Sequence, residues 1–288
     1  MKKFAMLLVA VSLSIGYSSS LGFAEERLLF MAGAAAKPVV EELAKSFEKK
    51  TGIPVDICIG GSGMLLSQIK LSKKGDLYFP GSIDFIEQAK KEGLLDESTV
   101  TPIVYLVPAI NVRRGNPKNI KSLKDLCKPG LKVIIANPET VCLGVFATEL
   151  FEKLFTAEEK KALRKNLVNY AESCEKTANS IALKSCDAVL GWSVFEHWNP
   201  ELIETVKLDP SEIIRVSYLA VAATKYSKKL ELAEQFIAFM KSPEGLEYFK
   251  KFKYFTSPQE ALEYVGQDKP VGGEPFRVPP EWLNPPHQ

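Results

Sequence analysis

The chain has only two histidines, His197 and His287, and no pair of cysteines spaced C-x-x-C. Each scarcity removes a class of chemistry. His197 follows a predicted strand and His287 lies in a proline-rich tail, so neither is placed as the base of a serine or cysteine hydrolase. Without C-x-x-C spacing, a structural zinc site has no ligand frame. Asp76 and Glu139 lack the clustered oxygen ligands that a hard cation needs. After Ile15 no apolar run is long enough to suggest a membrane span.

The apolar run that does exist opens the chain. Lys2 and Lys3 precede Phe4 to Ile15, and Leu21-Gly22-Phe23-Ala24 offers a small-residue cleavage site. Residues 1–24 therefore read as a cleavable signal peptide rather than an anchor, which implies a soluble protein outside the cytoplasm. The first cysteine is Cys58, so a lipid-anchored form is not expected. Cleavage removes Lys2 and Lys3 and no acid, taking 37 basic residues to 35 against 35 acidic ones. A net charge near zero argues against nucleic acid or an anionic membrane as partner.

Five cysteines (Cys58, Cys127, Cys142, Cys174 and Cys186) leave at least one unpaired. Cys174 and Cys186 are a candidate disulfide in an oxidising compartment. Cys58 reads as a small buried strand residue. Cys142 falls near a helix N-terminus, which leaves a redox or ligand role open for it.

What the chain does have is a strand-to-helix junction made twice. Leu28–Met31 is an apolar strand that ends in Ala32–Ala36, before a helix over Pro38–Lys50 with Val39, Val40, Leu43, Ala44 and Phe47 on one face. Val55–Ile59 is a second strand that ends in Gly60-Gly61-Ser62-Gly63, before a helix over Met64–Leu71. Small residues there expose backbone N–H groups at a helix N-terminus, where unpaired donors and partial positive charge attract anions. Gly75–Phe79 then reads as a buried strand and Ile83–Glu92 as a helix, giving a β-α-β-α-β-α order that predicts a parallel sheet covered by helices.

Ile103–Val112 and Ile213–Ala223 are two long apolar strands. Between them a second block repeats the pattern. Its strands are Lys132–Ala136 and Ala188–Trp192, and its helices Lys121–Leu126, Val145–Phe155, Ala157–Asn166 and Ala178–Lys184. Helices over Leu230–Met240 and Pro243–Phe252 follow, and from Gly266 a tail with six prolines excludes a helix or central strand. Two crossings, near 105 and 217, predict two α/β lobes about a two-strand hinge with a cleft between them. The expected division is 25–105 plus 217–265 for one lobe, 106–216 for the other, and a tail over 266–288. Arg113 and Arg114 fall at the expected hinge.

The motifs resemble one family over nearly the whole mature chain. Lys49-Lys50-Thr51-Gly52-Ile53-Pro54-Val55 leads into Gly60-Gly61-Ser62-Gly63, and Gly75-Asp76-Leu77 leads to Ala89-Lys90-Lys91-Glu92-Gly93-Leu94-Leu95. Asn137-Pro138 precedes a helix near Gly144, and Ser242-Pro243-Glu244-Gly245 stands near the C-terminus. In this order they are similar to the molybdate- and tungstate-binding proteins of ABC importers, with the type II periplasmic binding protein fold. The resemblance implies a periplasmic monomer that needs no cofactor, binds molybdate or tungstate with hydrogen-bond donors alone, and delivers it to a membrane permease.

By position, the resemblance puts ligand contacts at Ala34, Ala35, Ser62, Val141, Cys142, Leu143, Thr177 and Trp192. The chain departs from the family in three places. Ala34-Ala35-Ala36 lacks the usual serine hydroxyl, Cys142-Leu143 stand where a proline is common, and Trp192 replaces a tyrosine. The indole N–H can still donate one bond. Plainer roles compete: Ser62 and Thr177 as N-caps, Ala34 and Ala35 as close-packing residues, Val141–Leu143 as a turn, and Trp192 as core. A catalytic Ser62 fails on G-x-S-x-G, because Met64 stands where the second glycine belongs. Alternatives are a binding protein of the same fold for another anion or small ligand, a sensor signalling to a membrane receptor, and a secreted enzyme.

Overall fold

The structure is a computed structural model that describes residues 27–273 and 276–284; the signal peptide read at residues 1–24 lies outside them. Along the chain, β1 (Leu28–Gly33) leads through one 3-10 turn at Ala34–Ala36 into α1 (Lys37–Thr51). Pro38 in the first turn supplies the backbone torsion a helix start needs, and Gly52 ends the helix at φ 76°, a left-handed position that favours glycine. Then come β2 (Val55–Gly60), α2 (Ser62–Ser72), β3 (Leu77–Phe79) and α3 (Ile83–Lys91). β4 (Thr101–Leu106) and β5 (Pro108–Arg113) follow, separated only by Val107.

The next stretch holds β6 (Val133–Ala136), α4 (Cys142–Leu154), α5 (Ala157–Asn166), β7 (Leu167–Ala171), α6 (Cys174–Ala182) and β8 (Ala188–Trp192). After these come α7 (Phe195–Trp198), β9 (Ile203–Lys207) and β10 (Ser217–Ala223). The chain continues with α8 (Leu230–Lys241), α9 (Pro243–Lys251) and α10 (Pro258–Val265).

Two five-stranded sheets form, in the orders β2-β1-β3-β10-β4 and β7-β6-β8-β5-β9. The topology repeats. In one sheet β1 lies parallel between β2 and β3, with β10 antiparallel to β3. In the other β6 lies parallel between β7 and β8, with β5 antiparallel to β8. Both are mixed sheets flanked by helices, so the fold is two-lobed α/β. The central parallel strands are almost wholly buried, because helices cover both faces. Phe236 packs edge-on against Phe30 and Phe47 at 5.1 and 5.0 Å in one core, and Phe146 meets Trp192 at 5.2 Å in the other.

Several sequence expectations need correction. Ile103–Val112 is two strands rather than one, since the chain changes sheet at Val107. The second crossing, Ile213–Val216, precedes β10 rather than belonging to it. Arg113 and Arg114 are not at the hinge: Arg113 ends β5 and pairs with Asp187, and Arg114 in the turn after it pairs with Glu196. The strands β7 and β9 escaped notice because each is a short edge strand with half-exposed positions. The helix expected at Ala178 begins four residues earlier, capped by the Ser173 hydroxyl on the Lys176 N–H. All five cysteines are unpaired, so the Cys174–Cys186 disulfide is absent. In the tail, Val271 bridges to Val216, and a single 3-10 turn at Pro280–Trp282 buries Trp282 against Phe151.

Candidate functional site

The C-terminal ends of the parallel strands of both sheets meet. The Gly63 N–H of α2 donates to the Thr140 carbonyl ahead of α4 at 2.9 Å, and Lys37 of α1 forms an ion pair with Glu175 of α6. A Cβ added to Gly61 would lie 3.0 Å from the Thr140 carbonyl oxygen and 3.1 Å from that of Glu172. One at Gly81 would lie 2.6 Å from the Cys142 Sγ and 2.8 Å from the Ala35 Cβ. Gly81 is therefore glycine because the two lobes close directly upon it.

Around that contact stand most of the residues expected from sequence. Ser62 opens α2 and is buried; its hydroxyl accepts from the Gly81 N–H at 3.0 Å, and its carbonyl accepts from the Tyr78 hydroxyl at 2.8 Å. Ala34 and Ala35 are buried in the turn after β1, and the Ala35 carbonyl accepts from the Tyr254 hydroxyl. Val141 precedes α4, and Cys142 and Leu143 begin it, all buried. Trp192 ends β8 and is fully buried; among the described residues its indole N–H meets no oxygen or nitrogen acceptor and is approached only by the weakly accepting thiol of Cys174. Cys142, Leu143 and Trp192 surround the thiol of Cys174, at the start of α6. Contact with Cys142 and burial push that thiol well above its ordinary pKa, while the N–H groups of Trp192 and Leu143 act the other way.

Thr177 stands apart. It lies inside α6 rather than capping a helix, and its hydroxyl donates back to the Ser173 carbonyl at 2.8 Å. Sequence reasoning missed Gly81, Tyr78, Cys174 and Tyr254. The turn Pro80-Gly81-Ser82 could have been found, because it follows the third parallel strand just as the two chosen turns follow the first two. Tyr254 and Cys174 carried no local signal.

The arrangement offers donors without a cation. Helices α5, α6, α9 and α10 begin with a side-chain cap, but α2 and α4 do not. The start of α4 lies beside the Trp192 indole, both against the Cys174 thiol, and none of the eight residues expected from sequence carries a charge. A small anion fits such chemistry, since helix N-termini and aligned amides favour negative charge. Among the described residues no cluster of three or more potential metal ligands occurs, and no helix is long and apolar enough to cross a membrane.

A family model described as bacterial extracellular solute-binding protein matches residues 28–254. The chain belongs to this family. A Haemophilus influenzae protein known only as a binding protein is 30% identical to this solute-binding protein over 247 residues, 84% of this chain and 95% of its own. Among solved structures, the sulfate-binding protein SubI of Mycobacterium tuberculosis superposes with a TM-score of 0.72. It is 18% identical and covers 86% of this chain and 94% of its own. The periplasmic molybdate-binding protein of Azotobacter vinelandii superposes with a TM-score of 0.69. It is 19% identical and covers 80% of this chain and 99% of its own. At these identities the structural matches establish the two-lobed fold.

Proposed function

We propose that this solute-binding protein captures a tetrahedral oxyanion, molybdate or tungstate, outside the cytoplasm and delivers it as a monomer to the membrane permease of an ABC importer. The observation that carries this reading is the Trp192 N–H, a fully buried donor with only the Cys174 thiol before it, beside the uncapped start of α4. A buried polar group left unpaired costs about 1–3 kcal/mol, and an anion accepting from it recovers that cost. Ser62 would donate its hydroxyl proton while still accepting from Gly81. Ala34, Ala35 and Val141–Leu143 would contribute backbone N–H groups.

A carboxylate ligand would be expected to meet an arginine fork, and no arginine stands among these residues. A dianion with four equivalent oxygens suits neutral donors arriving from two lobes. In this reading residues 25–105 with 217–265 and residues 106–216 close upon it like jaws, and contacts with both stabilise the closed form. Calorimetric titration of the mature chain with molybdate, tungstate, sulfate and phosphate tests it. Tight one-to-one binding of molybdate or tungstate alone is expected. Preference for sulfate or phosphate would reassign the ligand, and no heat with any of the four would refute the oxyanion reading.

A further inference from the structure

Behind the site lies a buried charge cluster that the ligand reading does not use. Arg215 sits in the second crossing segment and is 3% exposed. Its guanidinium donates from Nη2 to both carboxylate oxygens of Asp84 in α3 at 3.2 Å and from Nε to Glu149 Oε2 in α4 at 2.9 Å, an oxygen that Nη2 also faces as an ion pair at 2.8 Å. Asp84 and Glu149 are each buried, and they belong to opposite lobes. A further N–H reaches the carbonyl of Gly272 in the tail at 3.1 Å, so each guanidinium nitrogen has a partner.

We infer that Arg215 is a positioning residue that clamps the two lobes in their closed arrangement, with the tail segment at 270–273 as the strap that completes its cage. The physical reason is charge accounting in a dry place. Arg215 alone faces two buried carboxylates, and the more exposed Lys153 balances the second charge from the rim by pairing with the other oxygen of Glu149 at 2.7 Å. Parting the lobes separates Asp84 from Glu149. One cation cannot follow both, and an unpaired buried charge is strongly unfavourable.

The clamp is also wired to the site. The guanidinium stacks on Phe146 at 4.6 Å, and Phe146 packs edge-on against Trp192 at 5.2 Å. Asp84 begins α3 just after Gly81, and Glu149 lies on the helix that Cys142 begins. The tail holds its place through the Gly272 N–H to the Val216 carbonyl at 2.8 Å and the Val216 N–H to the Pro270 carbonyl at 2.9 Å. A pre-closed form raises apparent affinity in proportion to its population.

Small-angle scattering of the unliganded protein tests the clamp without any assumption about the ligand. The variants are Asp84→Asn, which keeps the shape of the group, and Arg215→Lys, which keeps the charge but loses the fork. Circular dichroism checks that each is folded. Both are expected to show a larger radius of gyration than wild type. Molybdate titration of the same samples is expected to show about tenfold weaker binding or worse, a ratio worth ~1.4 kcal/mol. Folded variants with a wild-type radius of gyration would overturn the inference, whether or not molybdate binds. Failure of both variants to fold would overturn it too, because the cluster would then be a folding requirement rather than a closure device. Opening without any molybdate binding by wild type would sustain the clamp and reject the ligand.

Discussion

Replacing Trp192 with phenylalanine removes one buried N–H and leaves an aromatic ring in the same wall. In the unliganded protein that N–H faces only the weakly accepting Cys174 thiol, so its loss relieves at most about 1–3 kcal/mol of poorly compensated desolvation. Against this stands the space vacated by the smaller ring beside Phe146, with a cost on the order of 1–2 kcal/mol for lost packing. The two nearly cancel, and stability should change by less than ~1 kcal/mol. The liganded protein loses a bond to a charged acceptor, about 1.5–3 kcal/mol, or roughly 12- to 140-fold in affinity. Thermal unfolding of the unliganded variant and calorimetric titration with molybdate measure the two quantities separately. Unchanged affinity together with a stability loss of several kcal/mol would refute the reasoning, for Trp192 would then be core and not donor.

Ser62→Ala should lower molybdate affinity by about 1–3 kcal/mol in the same titration, with unchanged affinity removing Ser62 from the site. Gly81→Ala places a Cβ 2.6 Å from the Cys142 Sγ and 2.8 Å from the Ala35 Cβ. It should prop the lobes apart, weakening binding by roughly the 1–3 kcal/mol of an overpacked contact and enlarging the scattering radius of the liganded protein, while the melting temperature stays close to wild type. Trp282→Ala should cost about 3–5 kcal/mol in guanidinium unfolding, because the ring is fully buried against Phe151 and its N–H donates to Glu152 at 2.8 Å. Alkylation at pH 8 followed by mass spectrometry should label Cys58 first. Burial raises Cys127 to about 11 and Cys186 to about 12, and Cys142 together with burial holds the Cys174 thiol well above its ordinary pKa. All five thiols should react after unfolding, and a count of three would restore a disulfide.

The order of elements was legible in the sequence because it rests on local rules. Apolar runs separated by helical periodicity predict the strands β1, β2, β3, β6 and β8, and the small residues after the first two marked turns that the fold brings to the cleft. The same rules placed the crossings near 105 and 217, within a few residues of Val107 and Ile213–Val216, but read each run through its crossing as one strand. Pro108 is the one local sign that the run Ile103–Val112 breaks at Val107; its apolar residues read alike in either sheet. Edge strands such as β9 carry too few apolar residues to register.

Tertiary structure alone decided which residues meet. Ser62 and Gly81 are 19 residues apart, and Arg215 lies 66 residues from Glu149 and 131 from Asp84. The placing of the Trp192 N–H against the Cys174 thiol, the bond that occupies the Thr177 hydroxyl, and the choice of Arg215 rather than Arg113 or Arg114 at the hinge all follow from those meetings. The sequence by itself determined the two repeated α/β blocks and the donor-rich turns, since periodicity and turn chemistry act between near neighbours. The closure of one block upon the other depends on contacts between distant residues, which no local pattern encodes.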